Sequence, residues 1–255
     1  MSHSLQGKRG LVVGIANDQS IAWGCARALH EAGAELALTW FNDKARPHVE
    51  PLAQQLQAAI ALPLDVEQPG QLEAVFEAIG ERWGQLDFVL HSIAFAPKED
   101  LHGRVADSSR AGFMRAMDIS CHSFARMAHL AEPLMPHGGS LMTMSYVGAE
   151  EVIPDYGVMG PVKAALEAST RYLAAELGPR GIRVNAISPG PLATRAASGI
   201  PNFDALMADA AQRAPLRRLV DIAEVGALCA FLAGDGARAI TGSTLYVDAG
   251  YHILG

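Results

Sequence analysis

Short apolar runs alternate with longer amphipathic stretches along nearly the whole chain, and that alternation admits few folds. Residues 8–14, 35–41, 60–64, 86–95, 140–145, 181–187 and 243–247 read as strands. Helical patterns fall between them at 20–32, 71–83, about 111–135, about 156–177 and 221–232. A polar helix follows residue 41, with Pro47 and Pro51 near its start or breaking it. Strands apolar on both faces, separated by helices, predict a parallel sheet covered on both sides. In such a sheet ligands bind at the carboxyl ends of the strands.

The expected fold class is thus α/β: a Rossmann-like, doubly wound parallel sheet of about seven strands with helices on both faces. A length of 255 residues fits one domain, residues 1–255. The stretch at about 191–215 mixes Ala, Gly, Pro and Met and breaks the rhythm. A loop of that length is expected to be a substrate-binding lid, with a plain surface excursion as the alternative.

Composition removes several function classes. The net charge is −7 and no basic cluster occurs, which argues against nucleic acid as a partner. An acidic balance still permits a phosphate ligand, because backbone N–H groups at a helix start can hold it. No apolar run approaches the ~20 residues that span a bilayer, so no membrane association is expected. The N-terminal residues lead into a strand without a secretory apolar region. Cys25, Cys121 and Cys229 are far apart and in no metal-ligand spacing, so they read as buried reduced thiols of a cytoplasmic protein. The nine histidines form no metal set.

The residues that carry chemistry lie at predicted strand ends. Gly14 ends the first strand, and Ile15, Ser20, Ile21, Ala22 and Gly24 follow into the first helix. Gly14 permits a close turn, Ser20 is placed to cap the helix or donate to a phosphate, and a pyrophosphate fits the helix N-terminus. An ordinary strand–helix turn explains the same residues. Asp65 and Val66 end the third strand, where a carboxylate can accept from an adenine amino group or cap a helix. His91, Ser92, Ile93 and Ala94 end the fourth, and His91 reads as a satisfied strand-end histidine. Tyr146 ends the fifth. Tyr156 and Lys163 are seven apart, a spacing that puts both on one helix face.

Taken together these motifs resemble the enoyl-acyl-carrier-protein reductase branch of the short-chain dehydrogenases. The resemblance rests on G-x5-S-x-A-x-G from Gly14, the Asp65–Val66 pair, His91-Ser92-Ile93, the segment from Asn185 to Thr194, and above all Tyr-x6-Lys with Tyr146 ten residues upstream of Tyr156. It covers nearly the whole chain. The wider superfamily has Tyr-x3-Lys, but the position four before Lys163 is Met159. The resemblance implies an NADH-dependent oxidoreductase, with NADPH not excluded, that reduces the 2,3 double bond of a trans-2-enoyl thioester on acyl carrier protein in bacterial type II fatty acid synthesis. It implies a homotetramer, with the helices near Phe124 and Tyr172 packing across interfaces. It makes Tyr146, Tyr156 and Lys163 the catalytic set. Gly14, Ile15, Ser20, Ile21, Asp65, Val66, Ser92, Ile93, Ala94, Lys163, Leu192 and Thr194 would hold the cofactor. Ala96, Tyr146, Tyr156, Met159, Ala196, Ala197, Ile200, Phe203 and Leu206 would line the acyl site, although Met159 reads equally well as core.

The chain departs from the branch at several positions. Ala94 replaces a glycine and adds a methyl group beside the expected nicotinamide, where stacking inhibitors would bind less well. Pro189 stands where alanine is frequent, and Ala193 where a basic residue is. Phe41 occupies a glutamine position at the second strand's tip. Asp43 there would repel a 2′-phosphate, whereas Lys44 and Arg46 would attract one. Pro161 suits only the first turn of a helix, which allows the helix to begin after Tyr156. Two other functions fit the same scaffold: a divergent reductase of another enoyl or carbonyl compound, and a cofactor-binding regulator without turnover.

Overall fold

The computed structural model describes residues 4–194 and 203–254, the side chain of Phe203 excepted. Seven strands, β1 (Arg9–Val13), β2 (Glu35–Trp40), β3 (Ile60–Pro63), β4 (Phe88–His91), β5 (Gly139–Met144), β6 (Ile182–Pro189) and β7 (Thr244–Val247), form one parallel sheet in the order β3-β2-β1-β4-β5-β6-β7. The sheet predicted from the alternating pattern is the sheet observed. Its central strands are almost wholly buried, which is why they read as unbroken apolar runs.

The helices are α1 (Ile21–Glu31), α2 (Arg46–Gln55), α3 (Gln71–Trp83), α4 (Lys98–Leu101), α5 (Arg110–Met117), α6 (Ser123–Ala131), α7 (Met159–Leu177), α8 (Phe203–Arg213) and α9 (Ile222–Ala233). Pro47 lies in the first turn of α2 and Pro51 inside it. A capping box starts α9: the Asp221 carboxylate accepts from the N–H groups of Ala223 and Glu224, and Glu224 accepts from the Asp221 N–H. Cys25, Cys121 and Cys229 are buried free thiols. Among the described residues no helix is long and apolar enough to cross a membrane, and no cluster suited to a metal ion occurs.

The structure corrects the sequence reading at four places. The helix expected over about 111–135 is interrupted: between α5 and α6 the residues Asp118–His122 form a π-helical turn, and a 3-10 turn follows at Glu132–Leu134. The fourth strand stops at His91, and 92–97 is irregular. Residues 203–213, in the expected lid, form α8. Lastly, α7 begins at Met159 and leaves Tyr156 outside the helix.

Candidate active site

Strand order reverses between β1 and β4, and a cleft of about 700 Å³ opens there at the carboxyl ends. Six of the seven strand ends contribute to its wall. Gly14 and Ile15 follow β1, Phe41 follows β2, Asp65 and Val66 follow β3, and Ser92, Ile93, Ala94 and Ala96 follow β4. Tyr146 follows β5, and Leu192 and Thr194 follow β6. Ile21 of α1, Tyr156, and Met159 and Lys163 of α7 complete it. Two expected residues are not in the wall. Ser20 lies beneath the β1 turn, and Leu206 packs on the hydrophobic core. Ala196, Ala197, Ile200 and the Phe203 side chain lie outside the described residues.

Gly14 is required by geometry. Its φ is +109°, and a Cβ there would sit 2.0 Å from the Ser92 carbonyl oxygen. The backbones of the β1 and β4 ends therefore approach more closely than any side chain permits. The Ser92 N–H donates to the Val13 carbonyl at 3.0 Å and fixes that approach. Ser20 neither caps α1 nor faces the cleft. Its Oγ accepts from the N–H groups of Ala16 and Asn17, each at 3.0 Å, and donates to Asn17 Oδ1 at 3.2 Å. It thereby holds the turn rather than a ligand. Asp65 is no helix cap, because Gly70 begins α3; its Oδ1 accepts from the Glu67 N–H and its own N–H donates to Gln71 Oε1.

His91 is fully buried, with Nδ1 2.9 Å from Thr143 Oγ1 and Nε2 2.8 Å from Ser123 Oγ. Burial, with the Lys163 charge adding to it, brings its pKa down to about 3. It is a neutral, satisfied histidine, as its place at a strand end suggested. The π-helical turn has a use that the sequence did not disclose: it presents Ser120, whose Oγ accepts from the Phe95 N–H and donates to the Phe95 carbonyl. Arg115 covers the other side, lying 4.6 Å from the Phe95 ring centroid and pairing with Glu67 through both guanidinium branches.

Tyr156 reaches the cleft from a tight turn instead of a helix face. Asp155 (φ +61°) and Gly157 (φ +52°) flank it, both left-handed. A Cβ on Gly157 would lie 2.5 Å from the Leu101 carbonyl oxygen. With α7 starting at Met159, Pro161 falls in its first turn, where the missing N–H costs nothing. The Tyr146 and Tyr156 rings meet edge to face, with centroids 5.0 Å apart. Tyr146 Oη is buried with no hydrogen-bond partner among the described residues. Burial, followed for Tyr156 by the neighbouring Tyr146 and Glu167, pushes both phenols upward, so both stay protonated at neutral pH.

The Lys163 ammonium is buried and donates to the Met144 carbonyl at 2.6 Å. Desolvation brings its pKa down to about 8, opposed by Cys121 and Glu167. Glu167, one turn further along α7, was not among the expected site residues. It is buried and accepts a short hydrogen bond from Ser145 Oγ. Its position four residues after Lys163 was the available signal.

A dinucleotide fits this chemistry: a side-chain-free approach at Gly14, a carboxylate at Asp65, apolar walls at Ile15, Val66 and Ile93, and a buried cation at Lys163. Fold and cleft define a doubly wound dinucleotide-binding protein with a Tyr–Lys pair at its switch point.

The comparisons with known proteins narrow this further. A family model described as enoyl-(acyl carrier protein) reductase matches residues 14–252. The chain is 53% identical over 251 residues to enoyl-acyl-carrier-protein reductase (NADH) 1 of Rhizobium meliloti, covering 98% of this chain and 92% of that one. It is 48% identical to the corresponding NADH enzyme of a Nostoc species, over 99% of both chains. Among solved structures it resembles the Anaplasma phagocytophilum reductase in complex with NAD (TM-score 0.96, 46% identity, 100% and 97% of the two chains). It also resembles the Bacillus cereus reductase with NADP+ and indole naphthyridinone (TM-score 0.97, 46% identity, 100% of both). The chain belongs to the enoyl-acyl-carrier-protein reductase family.

Proposed function

We propose that this protein is an NADH-dependent enoyl-acyl-carrier-protein reductase of bacterial type II fatty acid synthesis, acting in the cytoplasm. The observation that carries the reading is the meeting of Tyr146, Tyr156 and Lys163 in the cleft that Gly14, Asp65 and Ser92 also line.

When bound, NADH would supply the hydride that C3 of a 2-enoyl thioester accepts. Negative charge then builds on the thioester oxygen, and a fixed, protonated phenol stabilises it by donating a hydrogen bond. Tyr156 is that donor: the turn through left-handed Asp155 and Gly157 brings it to the cleft, and burial pushes its phenol upward, so it is protonated. Tyr146 faces Tyr156 and shapes the acyl side, its buried hydroxyl without a hydrogen-bond partner among the described residues. Lys163 would hold the nicotinamide ribose hydroxyls and adds positive charge beside the developing enolate. The proton at C2 comes from Tyr156 or from water. Ala96 and Met159 border the acyl channel, and the proposed lid over it is the 191–215 stretch, of which residues 195–202 lie outside the described residues.

NADH is favoured over NADPH. Arg46, a cation near the β2 tip, is held by Glu50 in a two-point hydrogen bond and lies 5.5 Å from the Trp40 ring centroid. Phe41 offers no charge to a 2′-phosphate. A homotetramer is supported by exposed apolar side chains on α7 and α9, Tyr172 and Phe231. Phe124 itself is fully buried within the protomer. The deciding assay is NADH oxidation with a 2-enoyl-carrier-protein, run against ketones and with NADPH. No turnover of the enoyl thioester, or faster turnover of a ketone, overturns the assignment. Light scattering that shows a monomer overturns the tetramer.

A further inference from the structure

Lys163 and Glu167 are four residues apart on α7, both buried, and both directed at the end of β5. They grip consecutive residues: the Lys163 ammonium donates to the Met144 carbonyl, and Glu167 accepts from Ser145 Oγ. The next residue is Tyr146, whose ring meets that of Tyr156. We propose that Glu167 is a positioning residue for the reductase site: it fixes the Ser145–Tyr146 strand end and supplies the negative charge that keeps Lys163 a cation. The proposal rests on the reading of Lys163 as the cofactor's ribose ligand.

A buried ammonium sheds its proton unless an opposite charge is near. The groups facing Lys163 are few. Cys121 comes from the π-helical turn, Glu167 from α7 itself, and His91 from β4 is neutral. Glu167 is the carboxylate of that set. The groups facing Glu167 are Glu150 beyond β5, Thr244 on β7 as a hydrogen-bond partner, Tyr246 on β7, Arg171 on α7, and Tyr156. Burial, with Glu150 adding to it, pushes the Glu167 carboxyl up from its usual range, and the hydrogen bonds from Ser145 and Thr244 offset that rise in part. Those two hydroxyls stabilise the ionised form that Lys163 requires.

The sign follows directly. Desolvation brings the Lys163 pKa down to about 8, with Cys121 and then Glu167 opposing it. Without the Glu167 charge Lys163 loses its proton at lower pH, and affinity that depends on the cation is lost there. A unit charge one helical turn away moves the transition by about 1–2 pH units at an effective dielectric near 20. A purely structural glutamate would lower activity equally at all pH values.

The test is the NADH dissociation constant and kcat/KM across pH for the full-length enzyme, Glu167→Gln and Glu167→Asp. In Glu167→Gln the alkaline limb moves toward acid by about 1–2 pH units, leaving cofactor affinity about tenfold weaker at pH near 8 and close to wild type near pH 6. Glu167→Asp keeps the charge and returns the limb toward its wild-type position. Should Glu167→Gln not fold, the pair Ser145→Ala with Glu167→Leu, which removes both hydrogen-bonding partners, carries the same expectation. A limb that stays in place in the charge-deleted variant overturns the proposal. Lys163→Met separates the two claims: if it binds NADH as tightly as wild type at all pH values, the reading of Lys163 fails, and this proposal with it.

Discussion

Replacing Gly14 with alanine should damage fold and cofactor binding together, and the structure supplies the magnitude. Two costs add. At φ +109° the backbone lies outside the left-handed well that other residues tolerate, a strain of about 1–3 kcal/mol. The new methyl group would also lie 2.0 Å from the Ser92 carbonyl oxygen. That oxygen belongs to a backbone tied to Val13 by a hydrogen bond and to β1 through the ladder with β4, so it cannot swing aside. Overpacking of this kind costs about 1–3 kcal/mol more. The sum, about 2–6 kcal/mol, corresponds to a fall in Tm of roughly 4–24 °C for a chain of this size. Any relaxation must part the β1 and β4 ends, and those ends line the cleft proposed to hold the cofactor. NADH affinity should therefore fall at least about tenfold, the equivalent of about 1.4 kcal/mol. Gly84→Ala is the matched control. It has φ +68° at the end of α3, but a Cβ there meets nothing within 4 Å. It should cost about 1–2 kcal/mol and leave NADH affinity unchanged. Differential scanning fluorimetry and NADH fluorescence titration read both quantities. If Gly14→Ala matches Gly84→Ala in Tm and affinity, the close approach of β1 and β4 does not shape the site.

Tyr156→Phe should lower kcat by about 10²-fold or more, as loss of a single oxyanion donor does, while NADH affinity stays at the wild-type value; equal losses in both would remove Tyr156 from the chemistry. His91, held neutral with its pKa near 3, must take up a proton when the chain unfolds below its ordinary value of about 6.5. Stability is therefore full above that pH and is lost as pH falls toward 3. The unfolding free energy of wild type minus that of His91→Gln should fall by about 1.4 kcal/mol per pH unit below about pH 6, and a flat difference would show that the imidazole is charged in the fold. Asp221→Ala breaks the α9 capping box and should cost about 1 kcal/mol, seen as a Tm lower by about 2–4 °C with kcat/KM intact. Ala94→Gly clears a methyl group from the cleft wall, so ligands that stack on the nicotinamide should bind several-fold more tightly by calorimetry, and an unchanged affinity would put their site elsewhere.

The sheet was legible because buried parallel strands leave no choice of residue: β1, β2, β4 and β5 are apolar on both faces and read as such. Strand-end motifs were legible for a related reason, since ligands approach backbones there and constrain what may follow. Helical detail was less so. Apolar periodicity reports which face is buried and not which hydrogen bond closes the turn, so the π-helical turn at Asp118–His122 was invisible inside a continuous pattern. The same limit affected Tyr156. A seven-residue spacing to Lys163 fits one helix face, yet Asp155 and Gly157 adopt left-handed conformations and bring the phenol in from a turn. Glu167 escaped notice because a glutamate on a helix is ordinarily solvated, and only the fold reveals that Ser145 covers it.

These departures share a cause. A helix fixes side chains at about 100° intervals, which is too coarse to bring a phenol, an ammonium and a carboxylate to neighbouring points at the end of one strand. The chain solves this by breaking regularity on each side of β5. The π-helical turn swings Ser120 under the Phe95 backbone, the left-handed pair delivers Tyr156, and the first three turns of α7 supply Lys163 and Glu167 at regular spacing. Regular structure then has only to hold those breaks still. The buried surroundings of Lys163 and Tyr156 do so at an electrostatic cost, seen in the lowered ammonium and the raised phenol. A site stabilised for folding alone would pair such groups or expose them. Here they remain buried and partly unpaired, the condition under which a fixed donor and a fixed cation act most strongly on charge that develops between them.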